Sequence, residues 1–252
     1  MLTLENLTVT IEQHQLLAIE QLSLYEGEMF SVLGKNGAGK STLFKAICGD
    51  MLAQGGRYLH QLSIEYWPKT LLARHLAVLP QSSSLTFPFT VREVVALGLI
   101  PLSLNHRQGQ RCISEMLALT DTQQFSARSY LSLSGGERQR VHLARVLVQL
   151  SQAEKAPLLL LDEPTSAQDL AQQHHLLALI KTLCQEKNIT ALVIMHDLNL
   201  SMLYSDRVGI LAAGQFAAIG APRQILNTET ISDHWGYRPR QVEDASGVRV
   251  FI

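Results

Sequence analysis

The sequence predicts an α/β core interrupted by a helical insertion, and three observations support this fold class. Strands covered on both faces are indicated by three short apolar runs, MFSVL, LLLL and TALVIM. Half-buried strands are indicated by alternating apolar and polar residues at the start of the chain. The middle of the chain, from about 86 to 156, has helical periodicity and no convincing strand.

Composition and charge exclude several classes of protein. With 46% hydrophobic and 17% charged residues, the 252-residue chain is too apolar for a disordered protein and too polar for a membrane bundle. The formal net charge of −1 provides no basic field for a nucleic-acid backbone, so general nucleic-acid binding is not expected. The three cysteines stand too far apart in sequence for a metal or redox pair, which favours a reducing compartment.

Nothing in the sequence predicts a targeting or membrane-spanning segment. The first residues lack the charged and apolar regions of a signal peptide. The most apolar stretch, 94–104, is about half as long as the roughly 20 residues needed to cross a bilayer. We therefore expect a cytosolic protein that reaches a membrane only through a partner.

The predicted elements alternate in the way that a parallel sheet requires. Gly49 is expected to end the first helix, and Ala213 and Gly214 form the turn of a terminal hairpin. Strands are predicted at 2–11, 22–24, 29–33, 77–81, 158–161, 190–195, 208–211 and 216–219, and helices at 41–48, 91–97, 111–119, 134–150, 172–186 and 198–204.

A glycine-rich loop between a predicted strand and a predicted helix matches the phosphate-binding pattern G-x-x-x-x-G-K-[ST]. Its glycines allow consecutive N–H groups to point at phosphate oxygens, and the helix N-terminus adds a partial positive charge. We expect Lys40 to reach the β- and γ-phosphates, Ser41 to bind Mg²⁺ and Thr42 to lie near the α-phosphate. The predicted loop and its flank are Gly34, Lys35, Asn36, Gly37, Ala38, Gly39, Lys40, Ser41 and Thr42.

An acidic pair follows the apolar run LLLL. We expect Asp162 to bind the metal that accompanies a triphosphate, and Glu163 to act as the base with one carboxylate oxygen free for the attacking water. His196 follows the next buried strand, so it should emerge at the same sheet edge and could bond the γ-phosphate. An acidic pair at a strand end often occurs by chance when no other motif accompanies it. A lone histidine more often has a structural role than a functional one.

A second glycine-containing helix start lies at LSGGE. Ser134 and Glu137 have the spacing of a capping box, which is a structural explanation for the motif. The adjacent Gly135 and Gly136 also expose backbone N–H groups that could bind an anion. Both interpretations can hold together, and the spacing does not say whose phosphate this helix start would meet.

Together these motifs resemble the ATP-binding subunits of ABC transporters over nearly the whole chain. The resemblance implies a P-loop NTPase (RecA-like) core with an antiparallel β subdomain and an inserted α-helical subdomain, and ATP and Mg²⁺ as cofactors. Gln81 matches the Q-loop glutamine of the family, which binds the metal together with the residues at Ser41 and Asp162 and also faces the permease. His196 matches the switch histidine. Ser166, Ala167, Gln168 and Asp169 match the D-loop.

The same resemblance implies partners. Two copies of the subunit associate head to tail, so that Ser134 and Gly136 of one contact the γ-phosphate held by Lys40 of the other. Two transmembrane permease subunits and a periplasmic binding protein complete the complex at the cytoplasmic face of the bacterial inner membrane. The implied single nucleotide-binding domain, 1–252, divides into an ATP-binding core at 1–85 and 156–225, a helical signature subdomain at 86–155 and a C-terminal extension at 226–252.

Within the family, the loop after Gln81 and the end of the chain resemble importers of iron chelates, cobalamin and haem. Haem is the expected cargo, and a ferric siderophore or cobalamin is the alternative. A soluble ABC-type ATPase acting on nucleic acid or the ribosome is less consistent with a single phosphate loop and no heptads. A non-hydrolysing switch would not need Glu163 and His196, and a P-loop kinase would not explain LSGGE.

Three departures from the family pattern affect these expectations. Glu137 stands where glutamine is commoner, and Gln168 stands where leucine is usual, which could alter dimer packing. Ile11 lies near the place where many members stack an aromatic ring on adenine, and no aromatic residue occurs between Met1 and Leu24. These residues therefore give no basis for adenine selectivity, and it is the resemblance that implies ATP as the substrate, with GTP as a minor one.

Overall fold

Two main β-sheets and a group of helices make up the computed structural model, which describes residues 1–81, 85–166, 168–243, 247 and 249–252. The strands are β1 (Leu2–Ile11), β2 (His14–Leu24), β3 (Met29–Leu33), β4 (Gln54–Leu59), β5 (Leu62–Ser63), β6 (Leu76–Leu79), β7 (Leu158–Asp162), β8 (Thr190–Ile194), β9 (Arg207–Ala212), β10 (Gln215–Gly220), β11 (Gln241–Glu243) and β12 (Arg249–Phe251). The helices are α1 (Lys40–Cys48), α2 (Lys69–His75), α3 (Val91–Ala96), α4 (His106–Leu119), α5 (Gly135–Leu150), α6 (Leu170–Lys187), α7 (Leu198–Tyr204), α8 (Pro222–Ile225) and α9 (Thr228–Trp235).

The larger sheet is mostly parallel and has the strand order β10-β9-β3-β8-β7-β6. Strands β3, β6, β7, β8 and β9 run parallel to their neighbours, and only β10 pairs antiparallel, with β9. All residues of β3 and β8 are buried, which explains their unbroken apolar sequences. The carboxyl ends of β3, β6, β7 and β8 therefore lie along one edge of the sheet, where ligands of α/β proteins gather.

The smaller sheet is antiparallel, with the order β2-β1-β4-β5. In β1 the pair Leu2 and Leu4 and, after an irregularity in the pairing with β4, the pair Leu7 and Val9 are buried in a core cluster that also contains residues of β3 and α1. The alternation predicted for β1 is thus confirmed within each pair, whereas Ile11, expected to continue it, is exposed. Strands β4 and β5 were not predicted, because QGGRYL has two glycines and only Leu59 of it is fully buried.

The helical segment in the middle of the chain has an apolar core of its own. Helices α3, α4 and α5 pack through buried residues such as Val94, Ile113 and Val141. Another face of α5, including Leu143 and Leu147, belongs to the core under the parallel sheet. Helix α5 is therefore shared between the inserted segment and the rest of the molecule.

Several element boundaries differ from the predicted ones. Helix α4 begins at His106 and not at 111, because Asn105 and Gln108 form a capping box. Strand β6 ends at Leu79 and not at 81, since Pro80 has no N–H with which to continue the ladder. Helix α3 ends at Ala96 and continues as one 3-10 turn, Leu97–Leu99.

The C-terminal part of the chain contains elements that were not predicted. Helices α8 and α9 are followed by a hairpin of β11 and β12. The side chain of Asn199 on α7 exchanges two hydrogen bonds with the backbone of Phe251 on β12, at 2.7 and 3.1 Å. Across the described ranges, no helix combines the length and the apolar character needed to cross a membrane.

Candidate nucleotide-binding site

The glycine-rich loop joins β3 to α1 as predicted. A side chain at Gly34 would approach the carbonyl oxygen of Leu211 on β9 to 2.3 Å, so only glycine fits there. Gly39 is the N-cap of α1, and its φ of 104° is a conformation that other residues rarely adopt. The turn between β9 and β10 also supports the loop, because Gly214 N–H donates to the Ala38 carbonyl at 3.0 Å while its own carbonyl accepts from Ala18 N–H at 2.8 Å.

Lys40 is buried inside this loop. Its Nζ donates to the carbonyl oxygens of Gly34 at 2.7 Å and Lys35 at 3.0 Å. Burial lowers the pKa of Lys40, and the nearby carboxylates of Glu163 and Asp162 oppose that shift. The loop therefore positions a cation among its backbone groups, as a phosphate site requires.

Asp162, the last residue of β7, has an oxygen that is buried and has no hydrogen-bond partner. Its Oδ1 is unpaired among the residues that the structure describes. Burial and then the neighbouring Glu163 raise the pKa of Asp162, while Lys40 lowers it. A buried carboxylate oxygen without a partner is suited to a divalent cation, which would supply the missing charge. The residues at this point thus fit Mg²⁺, and Asp162 and Ser41 are those that could hold it.

Glu163 lies between two side chains from the neighbouring strand ends. Its Oε2 accepts a hydrogen bond from Gln81 Nε2 at 2.5 Å, and its Oε1 accepts one from His196 Nε2. The expectation of one free carboxylate oxygen on Glu163 needs correction, because both oxygens already accept a bond. The unpartnered oxygen belongs to Asp162. His196, expected at a phosphate, contacts Glu163 because β7 and β8 are adjacent, and Glu163 and His196 are the first and second residues after the ends of these strands.

A cavity of 220 Å³ lies over the loop. Leu16 of β2 lines this cavity and Ile11 of β1 does not. The large apolar side chain at the site therefore comes from β2 and not from β1. A larger cavity, of 690 Å³, lies between α4, α5 and α6 and includes no residue of the loop. The smaller cavity is lined by Leu16, Asn36, Gly37, Gly39, Lys40, Ser41, Thr42 and Glu163.

The second glycine-containing helix start has the predicted capping box. Ser134 Oγ accepts from Glu137 N–H at 3.4 Å, and Glu137 Oε2 accepts from Ser134 N–H at 2.7 Å. The backbone N–H of Ser134, and then its hydroxyl, lower the pKa of Glu137. Ser134 and Gly135 are exposed, and none of the residues from 134 to 137 lines the cavity over the loop. One chain does not bring the two helix starts together.

The segment from Ser166 to Asp169 links the acidic pair to α6. The Ser166 hydroxyl donates to the Glu163 carbonyl at 3.0 Å, and Asp169 caps α6 by accepting from Gln172 N–H at 2.9 Å. Gln168 donates to Gln139 on α5 at 3.0 Å, a contact that the sequence did not predict. Its only signal was the departure from leucine at 168. Ala167 of the predicted D-loop and the serines at 82–84 lie outside the described residues.

Comparison with known proteins identifies the family. The sequence profile of the ABC transporter family matches residues 5–166, which include both glycine-containing motifs and the acidic pair. The chain belongs to the ABC transporter family. It is an ATP-binding subunit that hydrolyses ATP, and the family resemblance stated above is confirmed.

Relatives and solved structures of this family match most of the chain. The hemin import ATP-binding protein of Shewanella denitrificans is 47% identical, with 94% of each chain covered. A component of an ABC transporter complex from Clostridium perfringens has a TM-score of 0.80 at 25% identity, covering 92% of each chain. A dimeric ATP-binding cassette with ADP and Pi has a TM-score of 0.77 at 26% identity, covering 88% of this chain and 99% of that one. The expected P-loop NTPase fold with its antiparallel and helical parts is confirmed.

Proposed function

We propose that this ABC transporter subunit hydrolyses MgATP to drive the import of haem through a membrane permease. Support for haem comes from the 47% identity to proteins named hemin import ATP-binding proteins, in Shewanella denitrificans and in Vibrio cholerae. The complex contains two copies of this chain, two transmembrane permease subunits and a periplasmic haem-binding protein. The chain lies at the cytoplasmic face of the bacterial inner membrane.

The observation that supports hydrolysis best is the meeting of Lys40, Asp162 and Glu163 at one sheet edge. The loop amides from Gly34 to Gly39 and the Lys40 ammonium bind the β- and γ-phosphates, because a preorganised cation and N–H groups offset phosphate charge without reorganising. Ser41 and Asp162 would hold Mg²⁺, with the side-chain carbonyl of Gln81 as a further ligand. Bound Mg²⁺ would neutralise charge on the β- and γ-phosphates.

Glu163 is the general base. Each of its oxygens accepts one hydrogen bond and keeps a second lone pair, so a water can still donate a proton to the carboxylate. Gln81 and His196 hold the carboxylate from two sides, which fixes the direction from which that water approaches. His196 is exposed, so its ring is accessible to a bound phosphate.

The signature residues Ser134, Gly135, Gly136 and Glu137 complete the site of the other subunit. Support comes from the exposure of Ser134 and Gly135, from the absence of all four residues around the cavity over the phosphate loop of their own chain, and from the dimeric cassette that holds ADP and Pi. Asp169 lies at the same interface. Because the γ-phosphate contacts exist only in the closed dimer, hydrolysis shifts the population back to the open state.

The division of the chain follows these roles. The parts at 1–85 and 156–225 bind ATP, and the helical part at 86–155 presents the signature to the other subunit and a surface to the permease. The separate apolar core of α3, α4 and α5 supports this division. The part at 226–252 is a C-terminal extension. The missing aromatic leaves Leu16 as the apolar contact for the base, and an apolar contact alone does not select adenine. ATP is therefore assigned from the family, with GTP as a minor substrate.

The cargo is tested by reconstitution. The chain is co-purified with the membrane proteins encoded beside it, and the complex is placed in vesicles with MgATP inside or outside. We expect ATP-dependent uptake of haem, little uptake of a ferric siderophore or cobalamin, and no uptake with the Glu163→Gln variant. Uptake of another cargo in place of haem would overturn the haem assignment. Co-purification with ribosomes or nucleic acid and no membrane protein would contradict a transport role altogether.

A further inference from the structure

Two glutamine side chains meet between the signature helix and the loop that follows the catalytic carboxylate. Gln139 is on the second turn of α5 and is buried, and Gln168 precedes α6. Gln168 Nε2 donates to Gln139 Oε1 at 3.0 Å. This is a direct side-chain link in one chain between the segment that presents Ser134 and the segment that begins at Glu163.

The pair is incompletely bonded. Gln168 Oε1 and Gln139 Nε2 are buried, and neither has a hydrogen-bond partner within the described part of the chain. Two side-chain amides that face each other can form two N–H···O hydrogen bonds, but Gln139 and Gln168 form only one with each other. Burying an amide group without a partner destabilises a fold, so two leucines would serve stability better at these positions. Stability alone therefore does not explain why the two side chains are amides.

The loop that holds Gln168 is bonded back to Glu163. The Ser166 N–H and hydroxyl both donate to the Glu163 carbonyl, at 3.2 and 3.0 Å, and Gln168 N–H donates to the Thr165 carbonyl at 3.3 Å. On the other side, Gln173 of α6 donates to the carbonyls of Thr165 and Gln168. Glu163 itself has a φ of 48°, a backbone conformation that its surroundings must maintain.

We infer that the Gln139–Gln168 hydrogen bond positions Glu163 relative to the signature helix of its own subunit. When α5 moves with the signature, the bond moves Gln168, and the hydrogen bonds from Gln168 to Thr165 and from Ser166 to Glu163 then align the base with the site that the other subunit completes. Gln139 and Gln168 are positioning residues, since neither lines the cavity over the phosphate loop. The inference rests on the proposed function, because it assigns a role relative to Glu163.

The test uses the purified full chain and its steady-state MgATP hydrolysis. Gln139→Leu, Gln168→Leu and the double variant are compared with Gln168→Asn, which keeps the amide but shortens its reach by one methylene. We expect each variant to lower kcat about tenfold, because a small misplacement of the base slows the chemical step. The KM for ATP should stay within about twofold of the value for the unsubstituted protein. The double variant should lose no more than the larger single loss, because both residues act through one bond.

Thermal unfolding separates positioning from a structural role. The double leucine variant should unfold at the same temperature as the unchanged chain or higher, since it removes two unpartnered amide atoms. Gln149→Leu is the matched control, because this glutamine is also on α5 but bonds the carbonyls of Ala73 and Leu76. It should lower the unfolding temperature and leave kcat unchanged.

Two outcomes would overturn the inference. The first is an unchanged kcat in all variants of Gln139 and Gln168. The second is a fall in kcat that parallels a fall in unfolding temperature across these variants. A failure of the proposed function would look different. In that case the unchanged chain would not hydrolyse MgATP, or Glu163→Gln would hydrolyse it at the normal rate.

Discussion

Two helices of this ATPase begin at glycine-containing loops, and what surrounds each N-terminus differs. Helix α1 starts at the carboxyl edge of a buried parallel sheet, with the ammonium of Lys40 inside the loop and two carboxylates at the end of β7, which is separated from β3 by β8. Helix α5 starts on the surface and has no lysine in its first turn. The backbone N–H of Ser134 at this start already donates a hydrogen bond to the Glu137 carboxylate.

The comparison explains why one motif suffices for binding and the other does not. The α1 start concentrates positive charge and N–H groups in a partly enclosed cavity, where electrostatic interactions are strong. The α5 start is exposed to water and is already capped, so an anion there competes with a carboxylate of the same chain. We expect the first motif to control affinity for ATP and the second to act only when another subunit brings a bound phosphate to it.

The largest effect should come from Glu163→Gln, which keeps the shape of the α1 site and removes its base. We expect kcat to fall by about 10²- to 10⁴-fold, the usual contribution of general base catalysis, while ATP still binds. An ATP-bound dimer should then accumulate on size-exclusion chromatography. Glu186→Gln, an exposed change on α6, is the control. Near-normal turnover of the Glu163 variant would show that another group takes the proton.

Ser134→Arg should remove the contribution of the α5 start without affecting the α1 start. We expect kcat to fall about 10²- to 10³-fold, as when one donor to a transition-state charge is removed, with ATP affinity unchanged. Mixing this variant with a Lys40→Ala subunit leaves one intact composite site per mixed dimer. Turnover should therefore recover above that of either variant alone. Absence of any recovery would contradict the arrangement of sites between subunits.

Lys40→Ala tests the α1 start directly. Loss of the buried ammonium should weaken ATP binding about 100-fold, corresponding to the loss of charge-assisted bonds to phosphate. Lys45→Ala, on the exposed face of the same helix, should bind ATP normally in the same fluorescence titration. Equal affinities for the two variants would mean that the loop does not hold the phosphates.

The smallest effect concerns the cap of α5. Glu137→Ala should reduce the free energy of unfolding by about 1 kcal/mol or less, since the cap is exposed to water. Because the fold lowers the pKa of Glu137, its contribution is complete above the ordinary carboxyl pKa and is lost as the pH falls through the lowered value. Denaturant titrations at several pH values measure it.

Glu93→Ala provides the comparison for that experiment. Glu93 forms the same capping box with Thr90 at the start of α3, outside the residues that line the cavity over the phosphate loop, and its pKa is also lowered. Both variants should lose some stability, but only Glu137→Ala should alter turnover. A change in turnover for both would indicate that activity simply follows the stability of the helical segment.

The sequence was most informative where function requires a local pattern. The phosphate loop, the acidic pair and the capping box of Ser134 each depend on residues within nine positions of one another, and the structure has the predicted loop and cap. Parallel strands β7 and β8 were recognisable because both faces are buried. From these elements alone, the edge shared by Asp162, Glu163 and His196 follows.

Contacts between distant loops could not be predicted in the same way. Gln81 and Glu163 are 82 positions apart, and Gln139 and Gln168 are 29 apart, so their pairing depends on how separate elements pack. The same limit explains why Glu163 was expected to have a free oxygen. Strands β4, β11 and β12 were missed because short strands with glycine or exposed residues lack a clear period.

The turn at Gly214 makes the terminal hairpin part of the nucleotide site's framework. Its N–H and carbonyl connect Ala38 of the phosphate loop with Ala18 of the antiparallel sheet, although the turn follows the loop by most of the chain. A substitution there would leave every chemical group in place and still change the width of the phosphate cradle. In a genetic screen for lost transport, substitutions in this turn would be indistinguishable from damage to the nucleotide pocket itself.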